Sequence, residues 1–177
     1  MSLSLASELE RLASALTADS TANEKLSVSS LADRIAKYIG VKTDEVAILG
    51  VSERWRHLYF IVPEALKHVG YIPLSSPVAI AARTARESRP EINNAFQETR
   101  HITVFETIKA ESLNSAAIQK IISAPILSGE RVVAVIQISR KGDSPAEAGP
   151  DFGSDDLGKV MALCKPLAKL LQHLLRD

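Results

Sequence analysis

The sequence has one cysteine, Cys164, among 177 residues. A single cysteine excludes an internal disulfide framework and is typical of a reducing compartment. The chain also lacks a run of about 20 apolar residues, so we expect no membrane span. Its first residues lack the basic segment and continuous apolar core of a signal peptide. We therefore expect a cytoplasmic protein with no membrane partner.

Net charge of either sign is absent as well, because 21 basic residues balance 21 acidic ones. The field of the whole chain therefore gives no reason to expect nucleic acid or an anionic membrane as a partner. The same balance leaves self-association electrostatically unopposed. With 46% hydrophobic and 24% charged residues, the composition is that of a globular domain, and the length is enough to bury a core.

Residues that carry chemistry are few and scattered. The histidines, which show no spacing typical of metal ligands, are His57, His68, His101 and His173. Cys164 falls on the apolar face of a predicted helix, where cysteine is usually a small buried hydrophobe. No activated nucleophile, acid–base pair or metal set is visible, so we expect no enzyme, no metal and no cofactor.

Four stretches place apolar residues at the three- and four-residue steps that predict amphipathic helices. They are residues 5–16, 26–39, 77–88 and 155–175. The third stretch begins with a proline at its expected first position. The side chains on its inner face are small, which predicts that another element packs close against it. They are Val78, Ala81, Ala82 and Ala85. In the fourth, Ser154 or Asp155 is placed to cap the helix.

The last helix has an apolar face wider than packing on one sheet requires, at heptad spacing. We expect the surplus to pack against the N-terminal helix, or against both end helices of another copy. The second possibility predicts a homodimer. The residues assigned to that interface are Leu9, Leu12, Leu16, Leu167, Leu171 and Leu174.

Strand patterns occupy the middle of the chain. DEVAILGVSE and HLYFIV predict two strands joined by a turn at RWR. We expect Trp55 in that turn to pack on a neighbouring loop, and the alternative is a contact residue at the tip of the hairpin. A short strand is predicted at residues 91–93, whereas YIPLSSP and GDSPAEAGPDFGSD are predicted to be loops.

Residues 118–142 predict a hairpin that is apolar on both faces, as in a sheet covered on each side. Pro125 should place its strand at an edge or a bulge. In the second strand, strict alternation directs one set of side chains to one face and Val133 and Val135 to the other. The first set is Val132, Ala134, Ile136 and Ile138.

The segment ISAPILSGERVVAVIQISRKG, followed by DFGSDDLGKVMALCKPLAKLLQHLL, resembles the ending of the GAF domain, a sensor relative of the PAS fold. GYIPLSSPVAIAARTARESRPEINNAF is similar to the middle of that family. The resemblance covers residues 25–177 and leaves residues 1–24 as an amphipathic helix packed on the C-terminal helix. It implies an α+β fold with a central antiparallel sheet of five or six strands. The N- and C-terminal helices would cover one face, and the middle helix and loops the other.

The chain departs from parts of the family. Ala134 stands where many members have glycine, and the signature of cyclic-nucleotide-binding members is not assembled. Bilin-binding members carry a cysteine in the pocket region, and the sulfoxide-reductase members need several cysteines. With Cys164 alone, on the final helix, we expect neither a covalent chromophore nor reductase chemistry.

The ligand side of a GAF-like sheet would include the middle helix. Arg83 and Arg86 on that helix, with Asn93 and Asn94 after it, are the predicted ligand-binding residues because guanidinium and amide groups bind anions and polar ligands. The alternative for the arginines is a solvated helix face with Glu87 as counter-charge, and for the asparagines a plain turn.

Two functions are compatible with these patterns. One is a non-catalytic regulatory domain that senses an unknown small molecule, forms a homodimer through its end helices and acts through a partner protein. The alternative is an interaction or dimerisation module whose cavity is filled by its own side chains.

Overall fold

A computed structural model describes residues 5–18, 28–63, 66–67, 70–98 and 117–174, without the side chains of residues 12–18, 28–29 and 173–174. The helices, in chain order, are α1 (Leu5–Ala18), α2 (Val28–Ile39), α3 (Ile80–Glu87), the single turn α4 (Pro145–Ala148) and α5 (Ser154–Leu174). Within these residues, no helix is long and apolar enough to cross a membrane.

The strands form one antiparallel sheet in the order β3-β2-β1-β6-β5-β4. They are β1 (Val46–Ser52), β2 (His57–Val62), β3 (Tyr71–Pro73), β4 (Glu91–Asn93), β5 (Ile118–Ser128) and β6 (Arg131–Lys141). The predicted α+β class and the predicted short strand at residues 91–93 are confirmed.

One face of the sheet, here called the helix face, carries the larger core. Side chains from β1, β5 and β6, such as Ile48, Ile122 and Ile136, pack with α1, α2 and α5. Two ion pairs join α1 to the other helices on the outside: Arg34 of α2 pairs with Glu8, and Lys169 of α5 pairs with Glu10. The helix face is therefore closed by three helices of the same chain.

The other face, here called the α3 face, carries a smaller core among the described residues. Leu49, Phe60 and Val135 from the central strands pack with Ala81 and Ala82 of α3. The small inner face predicted for this helix lets it lie close to the sheet. The opposite faces of β1 and β6 thus serve two layers, which explains why both strands are apolar on each side.

Pro125 has the edge position that its missing N–H requires. Its strand β5 pairs with β6 along its length, but β4 pairs only with Ile121, Ile122 and Ser123. Beyond Ser123, the outer side of β5 has no strand partner among the described residues. The register also shifts between Ile126 and Leu127, so the prediction of an edge or a bulge is confirmed.

That register shift makes the predicted alternation of β6 wrong at one end. Leu127 pairs with Val132 whereas Ile126 pairs with Ala134, so Val133 is the extra residue. As a result, Val133 packs with the helix-face core and Val132 with the α3-face core. A bulge reverses the side-chain pattern beyond it, and the sequence alone does not indicate where it lies.

Three local predictions are also wrong. YIPLSSP contains strand β3, which pairs with β2 through Ile72 opposite Leu58. The third helix begins at Ile80, so its proline lies before the helix. At the start of α5, the cap is made by Asp156, whose Oδ2 accepts a hydrogen bond from Gly153 N at 2.9 Å.

Gly50 on β1 leaves room for the ring of Tyr59 on β2. The two residues are direct cross-strand partners, and a Cβ atom on Gly50 would lie 2.4 Å from Tyr59 Cζ. An aromatic ring lying over a strand glycine replaces the missing side-chain contacts. Only glycine fits this position while the ring stays in place.

The predicted dimer leucines lie within the core of one chain wherever their side chains are described. Leu9, Leu167 and Leu171 are buried in the helix-face core, whereas the side chains of Leu12, Leu16 and Leu174 lie outside the description. α1 packs on α5, so the wide apolar stripe of α5 contacts the N-terminal helix, the first of its two expected partners. The homodimer stays a prediction.

We expect Gly50→Ala to lower the free energy of unfolding by about 1–3 kcal/mol, because the new methyl group overlaps the Tyr59 ring. Urea denaturation measures this change. In a Tyr59→Leu background the same substitution should cost much less, since the ring is gone. Equal costs in both backgrounds would contradict the packing described.

We expect Leu167→Ala and Leu171→Ala each to lower the free energy of unfolding by about 2–5 kcal/mol, the usual cost of removing a buried leucine. Denaturation with light scattering measures stability and mass together, and Met161→Ala, at an exposed site on the same helix, is the control. Variants that keep full stability but change from dimer to monomer would instead identify these leucines as interface residues.

Candidate functional site

The α3 face carries the helix with two of the four predicted ligand-binding residues, Arg83 and Arg86. Its helix is anchored before its first turn, where Ser76 Oγ accepts hydrogen bonds from the backbone N–H groups of Val78 and Ala79. At the other end, Ser88 has a left-handed backbone and its N–H donates to Thr84 O at 2.9 Å. These contacts fix which side chains of α3 face the sheet.

A buried polar network joins α3 to the middle of the sheet. Thr84 Oγ1 lies 2.7 Å from Ser123 Oγ on β5, and Gln137 Nε2 on β6 donates to the same Ser123 oxygen at 3.3 Å. Thr84 also bonds to the Ile80 carbonyl. Because each hydroxyl has a partner, this network holds the helix on the sheet and fills the space beneath it.

Arg83 lies on the outer side of α3 and forms a two-point ion pair with Glu91 on β4, with both N···O distances 2.8 Å. The hydrogen bonds that the Arg83 guanidinium donates to Glu91 raise the pKa of Arg83 above its usual value. Arg89 pairs with Glu87 nearby. These pairs line an open groove of about 320 Å³ whose arginines already have carboxylate partners.

Arg86 points to a different groove and has no carboxylate partner among the described residues. Its Nη1 donates to the carbonyl oxygens of Leu74 at 2.5 Å and Ser76 at 2.8 Å. The guanidinium is therefore held in place by backbone groups, and no carboxylate of the described residues pairs with its charge.

We call this second cavity the arginine groove; its volume is about 380 Å³. It lies between the turn joining β1 to β2, the end of α3 and the turn joining β5 to β6. Its charged residues are Glu53, Arg56, Arg86, Glu130 and Arg131. Its apolar residues are Val51, Leu74, Ala85 and Val132.

The structure does not bring the four predicted ligand-binding residues together. Arg83 and Arg86 line different grooves, and the Asn93 side chain accepts a hydrogen bond from Ala95 N in the turn after β4. Asn94 bonds through both ends of its amide to the backbone of Phe152, just before α5. Their role as ligand-binding residues stays a prediction, which the arrangement favours most for Arg86.

The turn between β1 and β2 is the feature whose importance sequence reasoning missed. Arg56, a non-glycine residue, has a left-handed backbone with φ of 56°, and its carbonyl accepts a hydrogen bond from Leu74 N. Trp55 is 65% exposed, so its expected packing on a loop is wrong. The Arg54 guanidinium lies 5.0 Å from the Trp55 ring centroid.

Only the RWR motif marked this turn in the sequence. Arg131 and Glu130 follow the hairpin turn about 75 residues later, and no spacing rule connects two turns so far apart in the chain. The antiparallel pairing of β1 with β6 brings the two turns to the same end of the sheet.

Cys164 is buried on α5 at the helix face, away from both grooves. Its Sγ donates to the Val160 carbonyl at 3.4 Å, and burial raises the pKa of the thiol to about 12. At neutral pH the residue is thus a protonated thiol inside the core, which lacks nucleophilic character. Within the described residues, no three histidine, cysteine or acidic side chains are grouped to hold a metal ion.

A six-stranded antiparallel sheet with end helices on one face and a short helix on the other is the fold of a GAF domain, and the chain has this fold. The GAF domain of an Acinetobacter phosphoenolpyruvate-protein phosphotransferase is 14% identical, with a TM-score of 0.65 over 98% of this chain and 96% of that one. The corresponding domain from Coxiella burnetii is 10% identical, with a TM-score of 0.66 over 95% of each chain.

An enzyme shares the fold. The free methionine-R-sulfoxide reductase of Neisseria meningitidis, solved with its substrate, is 18% identical, with a TM-score of 0.60 over 94% of this chain and 87% of that one. No protein-family model matches the sequence, and no curated protein matches it. At these identities the likeness establishes the fold alone.

We expect stability to fall as the pH rises above about 9, the ordinary pKa of the thiol, towards its folded value of about 12. In that interval the unfolded chain loses the Cys164 proton and the folded chain keeps it, so unfolding is favoured by up to about 1.4 kcal/mol per pH unit. Urea denaturation between pH 8 and 11 measures the slope. The Cys164→Ala variant should show a shallower slope, and identical slopes would contradict the burial of the thiol.

Proposed function

We propose that this chain is a non-catalytic regulatory domain that senses a small molecule bound on the α3 face of its sheet. The observation that carries the proposal is the difference between the two faces. Three helices close the helix face with a continuous core. The α3 face is covered, in the described residues, by an eight-residue helix flanked by two open grooves.

The non-catalytic part of the proposal rests on Cys164. The fold occurs in signalling proteins and in sulfoxide reductases, so it does not separate the two classes. A reductase or a cysteine hydrolase needs an accessible thiolate. Cys164, the only cysteine in the sequence, is 6% exposed and lies on the face opposite the grooves, which favours regulation.

A ligand on the α3 face can affect the helix face through the sheet. Helix α3 rests on β5 and β6, and α5 rests on the other side of the same strands. A ligand changes the balance of two conformations only if it binds them unequally. We propose that such a shift moves α5 relative to the sheet and that a partner protein or a second copy of the chain detects it.

The alternative function is an interaction module without a ligand. It is favoured by the packing under α3, where the chain's own side chains and the bonded hydroxyls of Thr84 and Ser123 occupy the space. In that case the domain would serve as a rigid body that docks or dimerises through its end helices.

We expect native mass spectrometry or a thermal-shift screen of metabolites to identify at least one bound small molecule. A ligand at 100 times its dissociation constant stabilises the folded state by about 2.7 kcal/mol. Its effect should persist in Cys164→Ala, because the thiol lies on the other face. If no co-purified molecule is found and no metabolite raises the melting temperature, the sensor proposal fails and the interaction module is favoured.

A further inference from the structure

We propose that the arginine groove binds a small organic carboxylate with an apolar body. This inference rests on the proposed sensing function and specifies the site and the chemical class of its ligand. Two residues would bind the carboxylate group of the ligand. They lie on different elements, so the sequence did not indicate that they form one site. They are Arg56 in the turn between β1 and β2, and Arg86 on α3.

The charges of the groove favour an anion. Arg131 pairs with Glu53 at 3.3 Å, which leaves Arg56, Arg86 and the exposed Glu130 as the other charged residues of the lining. Among the described residues, no carboxylate lies within ion-pair distance of Arg56 or Arg86. As the described residues line it, the groove therefore contains two guanidinium groups without a carboxylate partner and one exposed acidic residue.

Backbone carbonyls hold the Arg86 guanidinium, whereas at Arg56 a backbone hydrogen bond fixes only the main chain. Two carbonyl oxygens, those of Leu74 and Ser76, fix Arg86, and the bond from Leu74 N to the Arg56 carbonyl fixes the turn. Leu74 thus connects the two elements. An anion that binds here meets one guanidinium already placed, that of Arg86, which lowers the entropy lost on binding.

The backbone at the groove is strained in a way that glycine would relieve. In the described residues, the two non-glycine positions with positive φ are Arg56, at 56°, and Ser88, at 54°, and both line this groove. Such conformations cost free energy and cluster at binding sites. Glycine at position 56 would relieve the backbone strain, but it would also remove the guanidinium group.

The apolar residues of the groove, here called its floor, favour a ligand with an apolar body. Val51, Leu74 and Val132 belong to or lie beside the sheet, and Ala85 lies on α3. A volume of about 380 Å³ falls within the range of small-molecule sites. The guanidinium fork matches the two oxygens of a carboxylate, and the apolar floor accepts an aliphatic or aromatic body.

The test uses pairs of carboxylates and their neutral amides as probes: propionate, benzoate and 3-phenylpropionate with propionamide, benzamide and 3-phenylpropionamide. Trp55, the only tryptophan, adjoins Arg56 and reports binding through its fluorescence, with nitrogen-15 NMR shifts as a second readout. We expect at least one carboxylate to bind at least tenfold more tightly than its amide. Inorganic phosphate tests whether an anion without an apolar body is enough.

Variants then locate the site. Arg56→Gln and Arg86→Gln should each weaken carboxylate binding at least tenfold, whereas Arg83→Gln, on the same helix but lining the other groove, should not. Ala85→Trp should fill the groove and abolish binding. Its matched control is Ala162→Trp at an exposed position of α5. Circular dichroism confirms folding, and Arg56→Gln removes no side-chain contact within the described residues.

The outcomes separate this inference from the sensing function. If no carboxylate binds more tightly than its amide, or if Arg56→Gln and Arg86→Gln leave binding unchanged, the carboxylate site is wrong. A different ligand found by mass spectrometry or the metabolite screen would still support sensing in that case. Binding by phosphate as tight as that of the carboxylates would contradict the role of the apolar floor.

Discussion

The central strands of this protein are apolar on both sides, and that constraint determines the rest of the structure. β1 and β6 place Ile48 and Ile136 on one face, and Leu49 and Val135 on the other, all nearly inaccessible to water. Leaving either face exposed would forfeit the burial of several large side chains, each contributing about 1.5–3 kcal/mol. The sheet must therefore be covered twice, which requires helices from both ends and from the middle of the chain.

The two covers differ in how much they bury. The helix face receives the long helix α5 along with α1 and α2, and its core includes the one cysteine of the sequence. The α3 face receives small side chains, a hydroxyl network and grooves lined by charged residues. Regions with fewer apolar contacts open more easily, so the packing of the described residues favours local opening on the α3 face.

The periodicity of the sequence was sufficient for the hairpin and most helices, because burial alternates or repeats with each element, and the resemblance to the GAF domain implied the class of fold. Periodicity was insufficient where one residue changes a pattern, as at the bulge of Val133, or where a strand has three residues, as at β3. The site was harder to predict. Arg86 was predicted from its guanidinium group on the middle helix, but Arg56 joins it only through the pairing of β1, β2 and β3, and distant pairing leaves no local signal.

The central claim, that a rigid helix face supports a more easily opened α3 face, is tested most directly by native-state hydrogen exchange of the backbone amides. The amides in the middle of β1, β6 and α5 should exchange only through global unfolding. Those of α3, β3 and the turn at residues 53–56 should exchange through local opening at clearly lower free energy. Equal protection of α3 and β6 would contradict the claim.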